Sequence, residues 1–232
     1  MKHIFHNLDL QSVVACYHDW TLIAASFPAP LARIATFLPH EDLRLVETAP
    51  GQTHLTLMGM AYRQVDRLAP YNEFGILAPV VPLGTGHPPE IPVYFVLQLP
   101  VTTQEACEGG VWIFGYPKFV AQIDFEHSPE RIDCHVRAEG CALISLSVPA
   151  LPGKVPTGDL YTYSIKEAEI LKTRIEISGT GGKVNGPGAT FSLGDHPLSD
   201  DLRKLDMAET ASGSQFAQQL DSILHFPEGV RA

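Results

Sequence analysis

Basic residues are scarce in this 232-residue sequence, which has 16 Lys and Arg against 26 Asp and Glu and a formal net charge of −10. A basic stripe able to neutralise nucleic-acid phosphates is therefore not expected, and attraction to an anionic membrane surface is equally disfavoured. Long apolar runs are also missing, since none approaches the roughly 20 residues that a membrane-spanning helix needs. We expect neither a nucleic-acid partner nor a membrane association.

Cysteine is rare too, and the four residues present, Cys16, Cys107, Cys134 and Cys141, show no CxxC spacing. The ten histidines show no HExxH motif or paired Cys/His spacing, so we expect no metal site and no other cofactor. The chain begins Met-Lys-His-Ile-Phe-His-Asn, without the apolar core of a signal peptide. We expect a protein with reduced cysteines in the cytoplasm.

Glycine and proline are abundant, at 19 residues each, and they separate short apolar runs. This pattern favours many strands and turns over long helices. Residues 132–137 alternate between apolar and polar side chains, while Val93–Leu99 is apolar on both faces and predicts a central strand. Further strands are predicted at Thr53–Tyr62, Cys141–Val148 and Thr173–Ile177.

Helices are predicted to be few and short. They are expected from Pro30 to Pro39, from Thr102 (capped by Glu105) to the Gly109-Gly110 pair, through Leu198, Leu202 and Leu205, and over Gln215–Leu224. Residues 179–183 are expected to form a glycine-rich hairpin, because Val184 stands where a phosphate loop needs Ser or Thr. The sequence predicts one domain over residues 1–232. Its class is mainly β (α+β), with an antiparallel sheet curled into a barrel or cone and a few short peripheral helices.

One lysine lies in an unusual setting. The segment Trp-Ile-Phe-Gly-Tyr-Pro-Lys-Phe places Lys118 among Trp112, Phe114, Tyr116 and Phe119. Burial disfavours an ammonium ion, so such a lysine is expected to supply the neutral, nucleophilic amine that Schiff-base chemistry needs. The alternative is a lysine whose stem packs on the aromatic rings while its amine reaches water.

A single carboxylate, Glu73, interrupts the uncharged run from Tyr71 to Val81. It is suited to transferring protons during imine chemistry, or to orienting an amine by a charge-assisted hydrogen bond. The alternative is a turn residue at a strand edge.

Two motifs together carry a resemblance. The segment Tyr71-Asn72-Glu73-Phe74-Gly75, followed by Pro79, precedes Tyr116-Pro117-Lys118, and in order and separation the two resemble the acetoacetate decarboxylase family. Weaker similarity extends from about residue 43 to residue 205. The resemblance implies that Lys118 is the Schiff-base lysine and Glu73 the active-site glutamate. Substrate contacts are then expected from Tyr71, Met60, His18, Trp112, Phe114, Tyr116 and Phe119.

Three positions depart from that family's pattern. Phe119 stands where the family's decarboxylases have a second lysine, His18 or a neighbour stands where they have an N-terminal arginine, and Thr56 replaces a second carboxylate. A guanidinium group binds a carboxylate through two parallel hydrogen bonds, a geometry that His cannot reproduce. The residue expected to bind the carboxylate of a small β-keto acid is therefore missing.

The sequence thus predicts a Schiff-base enzyme of the carbon–carbon lyase type, acting on a β-keto acid or another small-molecule carbonyl compound, and a homo-oligomer. An aldolase-dehydratase of the same family is an alternative. So is a non-catalytic protein that binds a hydrophobic ligand in the apolar cone.

Overall fold

Strands dominate the computed structural model, which describes residues 15–84 and 87–230. In these ranges the strands are β1 (Ala15–Pro30), β2 (Gln52–Val65), β3 (Tyr71–Pro79), β4 (Val93–Gln98), β5 (Gln122–His127), β6 (Arg131–Ala138), β7 (Cys141–Pro149), β8 (Val155–Pro156), β9 (Leu160–Lys166), β10 (Glu169–Ser178), β11 (Thr180–Asn185), β12 (Thr190–Leu193), β13 (Gly213–Leu224) and β14 (Glu228–Val230). The helices are α1 (Leu31–Ala35), α2 (Gln104–Phe114) and α3 (Pro197–Lys204).

Seven strands close into a barrel in the order β10-β9-β4-β3-β2-β1-β13, and pairing of β13 with β10 completes the ring. The predicted mainly β barrel with a few short helices is confirmed. One pair differs from the antiparallel prediction, because β4 and β9 run parallel. A parallel pair needs a long crossover connection, and the chain between these strands provides one through α2 and a second sheet.

The second sheet has four strands, in the order β12-β7-β6-β5, and packs against one side of the barrel. Buried side chains of both sheets form one core, for example Phe27 and Leu57 from the barrel with Ile132 and Leu146 from the second sheet. A different set of buried residues fills the barrel interior, including Trp20. The barrel wall therefore separates a structural core from an inner space.

Four sequence predictions about single segments need correction. Residues 215–224 belong to strand β13, not to a helix, because the four-residue spacing of Phe216, Leu220 and Leu224 also fits a strand. Residues 179–183 form no hairpin, since β10 and β11 follow one another along the same side of β13 and Gly179 (φ 139°) lies at their junction.

The third correction concerns α2. Its N-cap is Thr103, not Thr102, and the helix continues through the Gly109-Gly110 pair to Phe114. It ends at Gly115, whose left-handed conformation (φ 64°) is the one that favours glycine at a helix C-terminus. Helix α1 also ends earlier than predicted, at Ala35.

Of the three helices in the described ranges, none is long and apolar enough to cross a membrane. Among the same residues, all four cysteines are free thiols, with Cys134 buried and Cys141 exposed.

Candidate active site

The Lys118 side chain enters the barrel and meets Glu73. Its exposed fraction is only 6%, and its Nζ donates a hydrogen bond to Oε2 of Glu73, which is buried on β3. The two residues that the sequence motifs single out therefore form an ion pair inside the fold. A charge-assisted hydrogen bond of this kind is among the stronger polar contacts in proteins.

The chain just after α2 points Lys118 inward. The Leu99 amide donates to the Pro117 carbonyl (3.2 Å), and the Val101 amide donates to the Phe119 carbonyl (3.0 Å). Residues 117–119 thus run like a strand beside residues 99–101, where neighbouring side chains point to opposite faces. Lys118 faces the barrel interior, and Phe119 packs into the core shared with the second sheet.

Gly110 makes room for this lysine. It is buried within α2, and a Cβ at this position would overlap Cδ and Cε of Lys118 and lie 3.2 Å from Nζ. The Tyr116 amide also donates to the Gly110 carbonyl (3.2 Å), which holds the turn after the helix against it. Glycine is therefore needed here for the close approach of a side chain, not as a helix stop.

A cavity of about 80 Å³ lies beside the lysine, inside the barrel. Every barrel strand contributes to its wall. The lining residues are Tyr17, Trp20, Met58, Met60, Tyr62, Glu73, Leu77, Val96, Leu99, Tyr116, Lys118, Leu160, Thr162, Ile175, Ile177, Ser222 and Leu224. Lys118 and Glu73 are the charged members of this set, and most of the others are apolar. A carboxylate placed next to Lys118 would thus find no second cation among these residues.

Four tyrosines surround the ion pair: Tyr17, Tyr62, Tyr71 and Tyr116. The Tyr71 hydroxyl donates to the Tyr17 hydroxyl (3.2 Å), and Lys118 Nζ lies about 6 Å from the ring centroids of Tyr71 (6.0 Å) and Tyr116 (5.9 Å). Burial raises the pKa of all four phenols, with a further contribution from the negative charge of Glu73. For Tyr116 the pKa rises to about 12, so these side chains remain neutral at physiological pH.

Several predicted substrate contacts lie at or behind the cavity wall. Met60 and Tyr116 line the cavity, and the Tyr116 hydroxyl shares a 2.6 Å hydrogen bond with Thr162. Tyr71 adjoins Lys118 as described. Phe114 is buried behind Tyr116, with their rings stacked at a centroid distance of 5.5 Å.

The structure does not bring the other three predicted contacts to this cavity. Trp112 is 48% exposed on α2, because the helix extends past the predicted end and turns this side chain to the surface. Phe119 faces the opposite core. His18 lies near the surface between Asp66 (3.5 Å) and Asp221 (3.4 Å), and is not among the lining residues.

Sequence reasoning missed Trp20, Tyr17 and Tyr62. Tyr62 follows Met58 and Met60 on one face of β2, so alternation alone could have found it. Tyr17 and Trp20 both face inward because Asp19 (φ 46°) lies at an irregularity in β1 that shifts the alternation. The buried Nε1 of Trp20 has no hydrogen-bond partner among the described residues.

Across residues 15–84 and 87–230, no group of three or more His, Cys, Asp or Glu is arranged to hold a metal ion. The chemistry available in the described part of the cavity is that of an amine, a carboxylate and neutral hydroxyl donors.

Comparison with known families identifies the class of protein to which this barrel belongs. Residues 9–230 match the family model described as acetoacetate decarboxylase. The chain belongs to the acetoacetate decarboxylase family. Comparison with curated proteins gives no significant match.

Solved structures share the fold. An acetoacetate decarboxylase from Legionella pneumophila is 14% identical, with a TM-score of 0.72 over 94% of this chain and 88% of that one. The enduracididine biosynthesis enzyme MppR, complexed with pyruvate, is 15% identical, with a TM-score of 0.69 over 94% and 90%. MppR complexed with the condensation product of pyruvate and imidazole 4-carboxaldehyde is 13% identical, with a TM-score of 0.65 over 93% and 88%.

Proposed function

We propose that this protein is a Schiff-base enzyme in which Lys118 forms an imine with an aldehyde or ketone and uses it to break or form a carbon–carbon bond. The observation that carries the proposal is the hydrogen bond between Lys118 and Glu73 beside a small, mostly apolar cavity. A buried amine next to a carboxylate has both a nucleophile and a group that moves protons.

In the first step, the Lys118 ammonium gives a proton to Glu73. The free amine then adds to the carbonyl carbon, and a proton passes from the nitrogen to the oxygen. The resulting hydroxyl leaves as water after taking the proton back from Glu73. The product is an iminium ion between Nζ and the substrate carbon, with Glu73 again ionised. Atoms and charge balance, and no further reagent is needed.

The iminium then withdraws an electron pair from a bond at the neighbouring carbon. Loss of carbon dioxide makes the reaction a decarboxylation, whereas loss of a proton gives an enamine that can attack a second carbonyl compound. The ionised Glu73, which contacts Nζ, is the group that accepts that proton in the aldol route. In the decarboxylation route Glu73 first takes a proton from water and then passes it to the enamine carbon. The tyrosines around the pair stay neutral because burial raises the pKa of each phenol, so they add no charge that competes with Glu73 for the iminium.

Aldol-type chemistry or dehydration is the second candidate, and the charge of the cavity favours it. A β-keto acid places its carboxylate near the imine, where the lining residues offer no cation besides Lys118 itself. An unpaired buried charge is unfavourable, so binding of such a carboxylate would cost free energy. A neutral carbonyl compound avoids this cost. The complex of MppR with a condensation product supports this candidate by likeness of fold.

Reductive trapping tests the proposal. The protein is incubated with cyanoborohydride and a panel of acetoacetate, acetone, pyruvate and short aldehydes, and adducts are mapped by peptide mass spectrometry. We expect the adduct on Lys118, and none in Lys118→Met. Lys166→Met is the matched control, since Lys166 Nζ donates to the Trp112 carbonyl (2.6 Å) outside the cavity.

The competing function is ligand binding without catalysis. It predicts no adduct on Lys118 across the panel, together with unchanged affinity for a hydrophobic ligand in Lys118→Ala. That pair of results would overturn the proposed function.

A further inference from the structure

A second, wider space adjoins the inner cavity at one mouth of the barrel. It has a volume of about 650 Å³, against about 80 Å³ inside. Met58, Leu160 and Ile177 line both spaces, so the two spaces adjoin at these apolar side chains. The inner cavity holds about three waters' worth of volume, which limits a ligand there to a few heavy atoms. A larger substrate has to extend into the mouth.

The strand register brings a lysine into this mouth. Met58 pairs with Ala24, Ala24 pairs with Gln215, and Gln215 pairs with Lys183 on β11. Residues directly opposite one another in antiparallel strands point to the same face. Lys183 therefore shares the inward-facing row of Met58.

The row of paired residues that contains Lys183 lies one row closer to the mouth than the row that contains Glu73. Glu73 pairs with Met60, which lies two residues from Met58 along β2, or about 7 Å. Around the ring, β11 lies on the far side from β3. A ligand that reaches from the Lys118 amine to Lys183 thus crosses the barrel on its way to the mouth.

Lys183 is available to a ligand. It is exposed and forms no ion pair with any residue in the described part of the chain, and Asn185 follows it as another mouth residue. Of the acidic mouth residues, Asp159 already accepts a hydrogen bond from Arg174 (2.9 Å). Glu90 is exposed, so solvent screens its repulsion of an anion. The cation that the inner cavity lacks therefore lies in the mouth.

We propose that the substrate is an elongated carbonyl compound with an anionic group at the end remote from the reacting carbonyl. This inference rests on the proposed function of Lys118. The carbonyl occupies the inner cavity, an apolar stem passes Met58, Leu160 and Ile177, and the anionic end pairs with Lys183 and accepts a hydrogen bond from Asn185.

Chain length and charge of the probe test the inference. Levulinate and its longer methyl-ketone homologues, each compared with its own methyl ester, are trapped with cyanoborohydride on the wild type, Lys183→Gln and Lys204→Gln. Lys204 is the matched control, because it is an exposed lysine of α3 paired with Asp201. Binding of the corresponding secondary alcohols, which cannot form an imine, is measured by calorimetry on the same proteins.

The wild type and Lys204→Gln should trap one of the longer keto acids at a concentration about fivefold lower than its ester, and Lys183→Gln should lose this preference. The alcohols should show the same loss. Equal trapping of acids and esters, or an unchanged preference in Lys183→Gln, overturns the inference while leaving the imine mechanism intact. Absence of any adduct, with the Lys183-dependent binding of the alcohols retained, overturns the proposed function but supports the anion site.

Discussion

Replacing Gly110 with alanine adds one methyl group, and its effect separates helix stability from positioning of the Lys118 amine. In a helix interior, glycine is about 0.5–1 kcal/mol less favourable than alanine, so the substitution by itself stabilises α2. At this position, however, the new Cβ would overlap Cδ and Cε of Lys118. The lysine stem has to move, and its hydrogen bond to Glu73 moves with it.

The expected effect on chemistry is large. Displacing a reacting group by about 1 Å can lower a rate about 100-fold, and the methyl group demands a shift of at least that order. We therefore expect Gly110→Ala to form the Lys118 adduct about 100-fold more slowly than the wild type. Gly109→Ala is the matched control in the same helix, and it should react at the wild-type rate.

The assay is the initial rate of reductive trapping with a ketone that the wild type captures, followed by intact-protein mass spectrometry. Circular dichroism and thermal unfolding show whether each variant is folded. A folded Gly110→Ala that traps the ketone as fast as Gly109→Ala would refute the idea that this glycine positions the lysine.

The remaining predictions concern charge, hydrogen bonding and pH. Glu73→Gln leaves the buried Lys118 ammonium without its partner, so the free energy of unfolding measured by chemical denaturation should fall by about 3–5 kcal/mol. Adding Lys118→Met to this variant should restore part of the lost free energy, whereas additive losses from the two substitutions would contradict the coupling. Trp20→Phe removes an indole N–H that has no partner in the described residues, so the free energy of unfolding should change by less than about 1 kcal/mol. If a substrate oxygen accepts the hydrogen bond from this N–H, KM should rise several-fold, and an unchanged KM would show that Trp20 does not bind the substrate in this way. Phe119→Lys should destabilise the protein by about 2–4 kcal/mol rather than add a second amine to the site, because this side chain faces the outer core; faster trapping in a fully stable variant would show otherwise. Tyr116 has a folded-state pKa of about 12 against an ordinary value of 10.0, so the phenol of the unfolded chain ionises first as the pH rises. The contribution of Tyr116 to the free energy of unfolding is therefore fully present below pH 10 and is lost as the pH rises toward 12. Denaturation midpoints that stay level over this pH range, relative to Tyr116→Phe, would argue against burial as the cause of the raised pKa.

The site's two central residues could be predicted from the sequence because each carries a local signal. Lys118 follows a Gly-aromatic-Pro turn, and Glu73 is the one charge in a long uncharged run. Their meeting depends on residues 99–102, which pair with β3 on one side and with the segment after α2 on the other, and the ordered pair of motifs was enough to suggest it.

The surrounding wall was harder to predict, because nearness in sequence is a poor guide to nearness in space. Phe119 is adjacent to Lys118 along the chain but points into the opposite core, as the alternation of an extended segment requires. Trp112 is turned to the surface by one further turn of helix.

Irregular strands are a second reason why the direction of a side chain is hard to predict from the sequence. Asp19 and Gln219 both have positive φ, and each lies at a break in regular pairing that moves the following side chains to the other face. Trp20 and Leu220 consequently face the barrel interior, although strict alternation along their strands would turn both side chains to the opposite face. Such breaks leave no clear mark in composition or periodicity.

Closure of the barrel sets the time at which the Lys118 amine acquires its surroundings during synthesis. Ala15 pairs with Leu224, and the ring closes only when β13 docks between β1 and β10. Contacts between such distant parts of the chain form late and slowly. A nascent chain that has already produced Lys118 still lacks the last wall of its cavity until β13 leaves the ribosome. Lys118 would therefore be solvent-accessible on the growing polypeptide and would become enclosed only after β13 docks.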